Sequence, residues 1–198
     1  DLIAPWSLPI NGKRLAFQEP ALATGYDLWT IPLGTSDGGL RAGKPEIFLQ
    51  TQFNERQPFF SPDGRWLAYA SDESGVYQVY VRAFPDNGTP KQISIAGGLY
   101  PVFSRNGREI FFRTEDNQIM VAGYTGKGAT FDAEKPRVWS EKRLADIGVN
   151  GTNYDVAPDG RIVALMPMET PDGQKAQNHV IFLENFFDEL RRRVPTNR

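Results

Sequence analysis

Short apolar runs alternate with turn-forming residues along most of the chain, and the turns share one pattern. Asn or Asp, then Gly, then a basic residue occurs as Asn11-Gly12-Lys13, Asp63-Gly64-Arg65, Asn106-Gly107-Arg108 and Asp159-Gly160-Arg161. An apolar run follows each turn: Leu15-Ala16-Phe17, Trp66-Leu67-Ala68-Tyr69, Ile110-Phe111-Phe112 and Ile162-Val163-Ala164-Leu165. Three turns are preceded by an apolar and a small residue, Phe60-Ser61, Phe103-Ser104 and Val156-Ala157. Asn-Gly and Asp-Gly tolerate the positive φ that a tight connection between antiparallel strands requires. Each unit therefore predicts a hairpin.

A third strand is predicted in each unit, over Asp27–Ile31, Val76–Val81, Gln118–Ala122 and His179–Leu183. In the second of these, Tyr77, Val79 and Val81 fall on one face. A fourth short strand fits Glu46–Leu49, Lys91–Ser94 and Arg137–Ser140. The turn glycines are 52, 43 and 53 residues apart. Four strands at that period are the signature of a β-propeller blade. Blades stack face on face, which accounts for second strands that read as continuous apolar runs. The expected fold is all-β: a propeller of four four-stranded blades over 1–55, 56–98, 99–150 and 151–184, part of a larger propeller. A C-terminal helix and tail are expected over 185–198, with Asn185 as N-cap and Pro195 as terminator. The last blade lacks a fourth strand, so further blades are expected upstream of Asp1.

The stretch Phe60-Ser61-Pro62-Asp63-Gly64-Arg65-Trp66-Leu67-Ala68-Tyr69 resembles the repeat of TolB-like, or WD-like, propellers. Ser71–Gly75, Gln78–Pro85 and the tail Asn185–Pro195 are similar to the C-terminal propellers of bacterial receptor-like Ser/Thr protein kinases. The resemblance implies a sensor or protein-interaction role on the periplasmic or extracellular side of a bacterial membrane, with a cytoplasmic place as the alternative. This chain departs from the kinases in having no Gly-rich phosphate loop, no His-Arg-Asp motif and no Asp-Phe-Gly. A TolB-like periplasmic adaptor is the alternative, and the propeller of a serine peptidase a further one.

Composition narrows the chemistry. Among 198 residues, 22 Lys+Arg stand against 24 Asp+Glu, a net charge of −2. That balance argues against nucleic acid as the main partner. No apolar stretch approaches membrane-spanning length. Cysteine is absent, which excludes disulfides, thiolate metal sites and a Cys nucleophile. The single histidine, His179, excludes multi-His metal sites and stands in a predicted strand. No Gly-x-Ser-x-Gly elbow exists. The carboxylate pairs Asp72-Glu73 and Asp188-Glu189 read as a solvated loop and a helix start, and Arg191-Arg192-Arg193 as a solvated helix end. Gly123–Gly128 reads as a loop after a strand.

The expected function is therefore binding rather than catalysis, with no cofactor and no metal. Loops at one mouth of the channel carry charges beside aromatic rings, a combination suited to a peptide, protein or glycan contact. Arg56, Glu73, Tyr100 and Tyr154 are the expected contact residues. Exposed blade faces at the ends of a four-blade stack predict a homodimer, a small ring or a missing propeller half.

Overall fold

The glycines of the four repeated turns all lie in the left-handed region. Gly12, Gly64, Gly107 and Gly160 have φ of +64°, +72°, +67° and +85°. Each donates its N–H to the carbonyl three residues back, for example Gly64 to Ser61 at 2.9 Å and Gly107 to Ser104 at 3.0 Å. The Asn or Asp side chain accepts from the N–H of the basic residue, at 2.9–3.1 Å in every case. Turn geometry alone thus explains the repeated motif.

The computed structural model describes residues 4–36, 39–85, 88–128, 130–147 and 151–168. Four antiparallel sheets follow one another along the chain. The first holds β1 (Ala4–Ser7), β2 (Arg14–Ala21), β3 (Gly25–Ser36), β4 (Gly39–Ala42) and β5 (Glu46–Leu49). In the second are β6 (Glu55–Phe60), β7 (Trp66–Ser71), β8 (Gln78–Ala83) and β9 (Lys91–Gln92). The third comprises β10 (Leu99–Phe103), β11 (Glu109–Arg113), β12 (Gln118–Lys127), β13 (Thr130–Ala133) and β14 (Arg137–Arg143). The fourth has β15 (Tyr154–Val156) and β16 (Ile162–Ala164) among the described residues. This is a β-propeller: each sheet is a blade, and β1, β6, β10 and β15 are the inner strands. The predicted strand over His179–Leu183, the helix over 185–193 and Arg191–Arg193 lie outside the described residues.

Two blades carry more than four strands. β3 runs beyond its blade and pairs with β4 through Leu33–Ser36, while β5 pairs with its first half. β12 does the same with β13 and β14. Gly123–Lys127, read as a loop from its glycines, is therefore strand, with Gly126 paired to Phe131. Gly126 is needed there, because a Cβ would stand 2.6 Å from Trp66 Nε1.

The blades meet through three apolar clusters. Ala16, Leu28, Phe48 and Leu49 of the first pack on Phe60, Leu67, Tyr69 and Tyr80 of the second. Trp66, Ala68, Val79 and Val81 pack on Phe103, Ile110, Phe112 and Phe131 of the third. Tyr100, Val102, Phe111, Ile119 and Val121 meet Tyr154 and Val156 of the fourth. Alternate residues of one strand thus face opposite neighbours, as Leu67 and Ala68 do.

The fourth blade closes differently. In the second, Ser61 Oγ accepts from Trp66 N–H at 3.0 Å, and Ser61 N–H reaches Trp66 O. Ser104 repeats both bonds with Glu109. The hydroxyl satisfies a donor that stands outside the ladder. Ala157 has no hydroxyl, and its N–H pairs one residue earlier, with Arg161 O. A one-residue shift exchanges the faces of a strand. Ile162 and Ala164 consequently turn to the third blade, and Val163 is 69% exposed.

Candidate functional site

Inner strands of a propeller surround its axis, so their side chains decide what the axis can hold. Three of the four inner strands are irregular, while β15 pairs with β16 in unbroken register. Register shifts lie between Pro5 and Ser7, Arg56 and Phe59, and Leu99 and Val102. At the second and third shifts Gln57 and Tyr100 adopt φ of +58° and +54°. Non-glycine residues rarely occupy this region. The turned-out backbone groups are captured by neighbouring blades. Gln57 N–H donates to Gln18 Oε1 at 2.8 Å, Tyr100 N–H to Gln57 Oε1 at 2.7 Å, and Tyr154 Oη to Tyr100 O at 2.5 Å. One chain of hydrogen bonds therefore ties all four blades around the axis. Ser7 adds a bridge, donating Oγ–H to Pro58 O and accepting from Phe60 N–H, both at 2.9 Å.

These strands enclose a cavity of about 180 Å³. Trp6, Phe59, Tyr100, Pro101 and Val102 give it apolar walls; Gln57, Thr152, Tyr154 and Asp155 supply polar atoms. The Trp6 and Tyr100 rings stand 6.1 Å apart at 48°. Asp155 and Thr152 are exposed, Trp6 and Phe59 half-buried. Burial pushes the Tyr154 hydroxyl well above the ordinary tyrosine range, so it stays a hydrogen-bond donor. The cavity is small beside the 300–1,000 Å³ of a typical small-molecule pocket. It suits one inserted side chain.

A second polar cluster lies between the first and second blades. Glu55 is buried, accepts from Thr51 Oγ1 at 2.5 Å, and leaves Oε2 without a partner among the described residues. Burial raises its carboxyl to about 7, and Asp27 and Glu73 add to the rise. Asp27 accepts from Gln50 Nε2 at 2.6 Å and Thr24 Oγ1 at 3.0 Å. Arg56 lies over the rings of Tyr26 and Tyr77, its Cζ at 4.1 and 5.8 Å from their centroids.

The four expected contact residues fall into two groups. Tyr100 and Tyr154 come together, but both are buried; they shape the axial cavity rather than project from a loop. Arg56 and Glu73 sit at the first interface, both half-buried. Glu55-Arg56 belongs to β6 and Tyr154 to β15, so neither is loop. Trp6, Phe59 and Asp155 line the cavity without any signal in their spacing. Asp72, read as a solvated loop acid, accepts from Asn54 N–H at 2.9 Å and Asn54 Nδ2 at 2.8 Å. Among the described residues no cluster of three His, Cys, Asp or Glu could hold a metal, and no helix is long and apolar enough to cross a membrane.

No known family profile matches the chain, and no curated protein matches its sequence. Solved structures do match its fold. TolB from Acinetobacter baumannii superposes with a TM-score of 0.56 at 17% identity, over 88% of this chain and 39% of that one. A puromycin-hydrolyzing peptidase of Mycobacterium tuberculosis gives 0.52 at 16% identity, over 87% and 30%. The chain thus spans less than half the length of either protein. At these identities the likeness establishes a TolB-like β-propeller fold.

Proposed function

We propose that this propeller is a non-catalytic binding module that takes a segment of a protein or peptide at its axis. The observation that carries the reading is the axial cavity. Inner strands of all four blades contribute to it, its walls are aromatic, and its volume fits one side chain. Such a pocket anchors a partner through a buried apolar or aromatic residue, with a polar rim around it. Asp155 and Thr152 form part of that rim. Tyr100 and Tyr154 shape the pocket, while Arg56 and Glu73 would meet a partner broad enough to reach the first interface.

The stretches Ser71–Gly75 and Gln78–Pro85 support a finer reading: the sensor end of a receptor-like Ser/Thr kinase, on the outer side of a bacterial membrane. The likeness to TolB supports the second reading, a periplasmic adaptor. Coding sequence upstream of Asp1 separates them: a kinase domain and a membrane span favour the first, a signal peptide and only further repeats the second.

Panning a displayed random-peptide library on the purified chain tests the binding reading. The enriched peptides should bind at least tenfold more weakly to Trp6→Ala, and Val163→Ala should leave binding unchanged. No enrichment, or enrichment indifferent to Trp6, would overturn the axial site. Labelling by a fluorophosphonate probe would overturn the non-catalytic reading.

A further inference from the structure

The two outer hairpins have the same construction and opposite surroundings. Leu33–Ser36 pairs with Gly39–Ala42, as Tyr124–Lys127 pairs with Thr130–Ala133. The flanking bonds match as well. Leu33 N–H donates to Lys13 O at 2.7 Å, and Tyr124 N–H to Arg108 O at 2.9 Å. Gly43 N–H donates to Pro32 O, and Glu134 N–H to Gly123 O, both at 2.8 Å. Leu40 therefore stands where Phe131 stands, and Thr35 where Gly126 stands.

The third-blade hairpin clasps the blade before it. Phe131 is 7% exposed, with its ring 5.0 Å from that of Trp66, the first residue of the second blade's second strand. Arg65 Nη2, from the turn of that same blade, donates to Gly126 O at 3.1 Å. The first-blade hairpin reaches in the same sense, away from the second blade, yet Leu40 is 72% exposed. The face of the first blade on that side is apolar. Register places Leu15, Phe17, Trp29, Ile31 and Ile47 on it, opposite Ala16 and Leu28; Ile47 is 51% exposed, Leu15, Trp29 and Ile31 are half-buried, and Phe17 is buried. Among the described residues no strand is seated there.

We propose that the strand pair Leu33–Ser36 and Gly39–Ala42 is a clasp for a further blade of the same repeat, supplied by polypeptide outside these 198 residues. Leu40 packs on the first residue of that blade's second strand, and Thr35 O accepts from the basic residue of its Asn/Asp-Gly-basic turn. Thr35 in place of Gly126 means that the seated residue is smaller than Trp66, whose indole leaves no room for a Cβ. The fourth blade of a second copy fits less well. Its one-residue shift turns Ile162 toward the third blade, so the residue that should meet Leu40 is not presented.

Photocrosslinking in the product of the whole gene tests this. p-Benzoylphenylalanine replaces Leu40, where its exposure accommodates the probe, and separately Phe131 as a control. The control should link to the peptide containing Trp66. Position 40 should link to a peptide outside residues 1–198 that begins at an Asn/Asp-Gly-basic turn. A link from position 40 to residues of a second copy would overturn the proposal in favour of self-association. A linking control with no product from position 40 would overturn it outright.

Discussion

The second and third blades meet almost entirely through rings and aliphatic groups, whereas the first and second add charge to theirs. Trp66, Phe103, Phe131 and Tyr124 form one stack, with centroids 4.9–6.4 Å apart. At the other interface Phe60, Leu67, Tyr69 and Phe84 pack on Ala16, Leu28 and Phe48, and Glu55 and Asp27 are buried as well. A buried carboxyl with an unpartnered oxygen costs stability that an apolar residue would not. The dry interface therefore supplies cohesion, and the charged one carries a sensitivity to pH. Both lie between blades of similar sequence, so the difference comes from single substitutions within a repeated frame.

Breaking the dry stack should have the largest effect. Trp66→Ala removes an aromatic side chain packed on Phe131 and should cost about 3–5 kcal/mol, measured by urea denaturation. A loss below 1 kcal/mol would mean that the hairpin, rather than the indole, holds the third blade. Next comes Gln57→Ala. It removes the acceptor of the Tyr100 N–H, a buried donor in a strained conformation, and should cost about 1–3 kcal/mol. Hydrogen exchange at the Tyr100 amide should accelerate more than at Val121, which does not depend on Gln57.

The repeated frame was legible in the sequence because positive φ leaves so few choices. Four Asn/Asp-Gly turns at a blade's spacing located the hairpins, and the described strands follow them closely. The outer hairpins escaped because their sequences look like loops. Gly123-Tyr124-Thr125-Gly126-Lys127 has no apolar alternation, and its glycines serve a close approach to Trp66 that only the neighbouring blade explains. The site was half legible. Tyr100 and Tyr154 read as contact residues on loops at the channel mouth, and their burial depends on blades far away in sequence. Glu55, beside the expected contact Arg56, reads as an exposed loop carboxylate until another blade covers it.

Glu55→Gln should sharpen the contrast between the interfaces. Its carboxyl is pushed up to about 7 by burial, from an ordinary value of 4.5. The folded protein therefore keeps this proton where the unfolded chain releases it. The group's contribution to stability is full below about pH 4.5, declines as pH rises, and is lost above about 7. The amide does not titrate. The variant should match the parent near pH 4 and exceed it by up to about 3 kcal/mol at pH 8. Parallel pH profiles for the two proteins would mean that Glu55 is charged in the folded state at neutral pH.

The smallest effects separate two copies of one turn. Arg65 and Arg161 each bridge to the Asp two residues before, with Nε to Oδ2 at 2.7 Å. Exposed bridges of this kind are worth little. The Arg161 side chain, 82% exposed, makes only this bridge among the described residues, and Arg161→Ala should change stability by about 0.5 kcal/mol or less. Arg65 also donates to Gly126 O of the next blade's hairpin. Arg65→Ala should therefore cost more, about 0.5–1.5 kcal/mol. Deleting the hairpin tip should reduce that cost to the value at Arg161. Equal costs in the intact protein would mean that the Gly126 bond adds nothing, and that the hairpin is held by Phe131 on Trp66 alone.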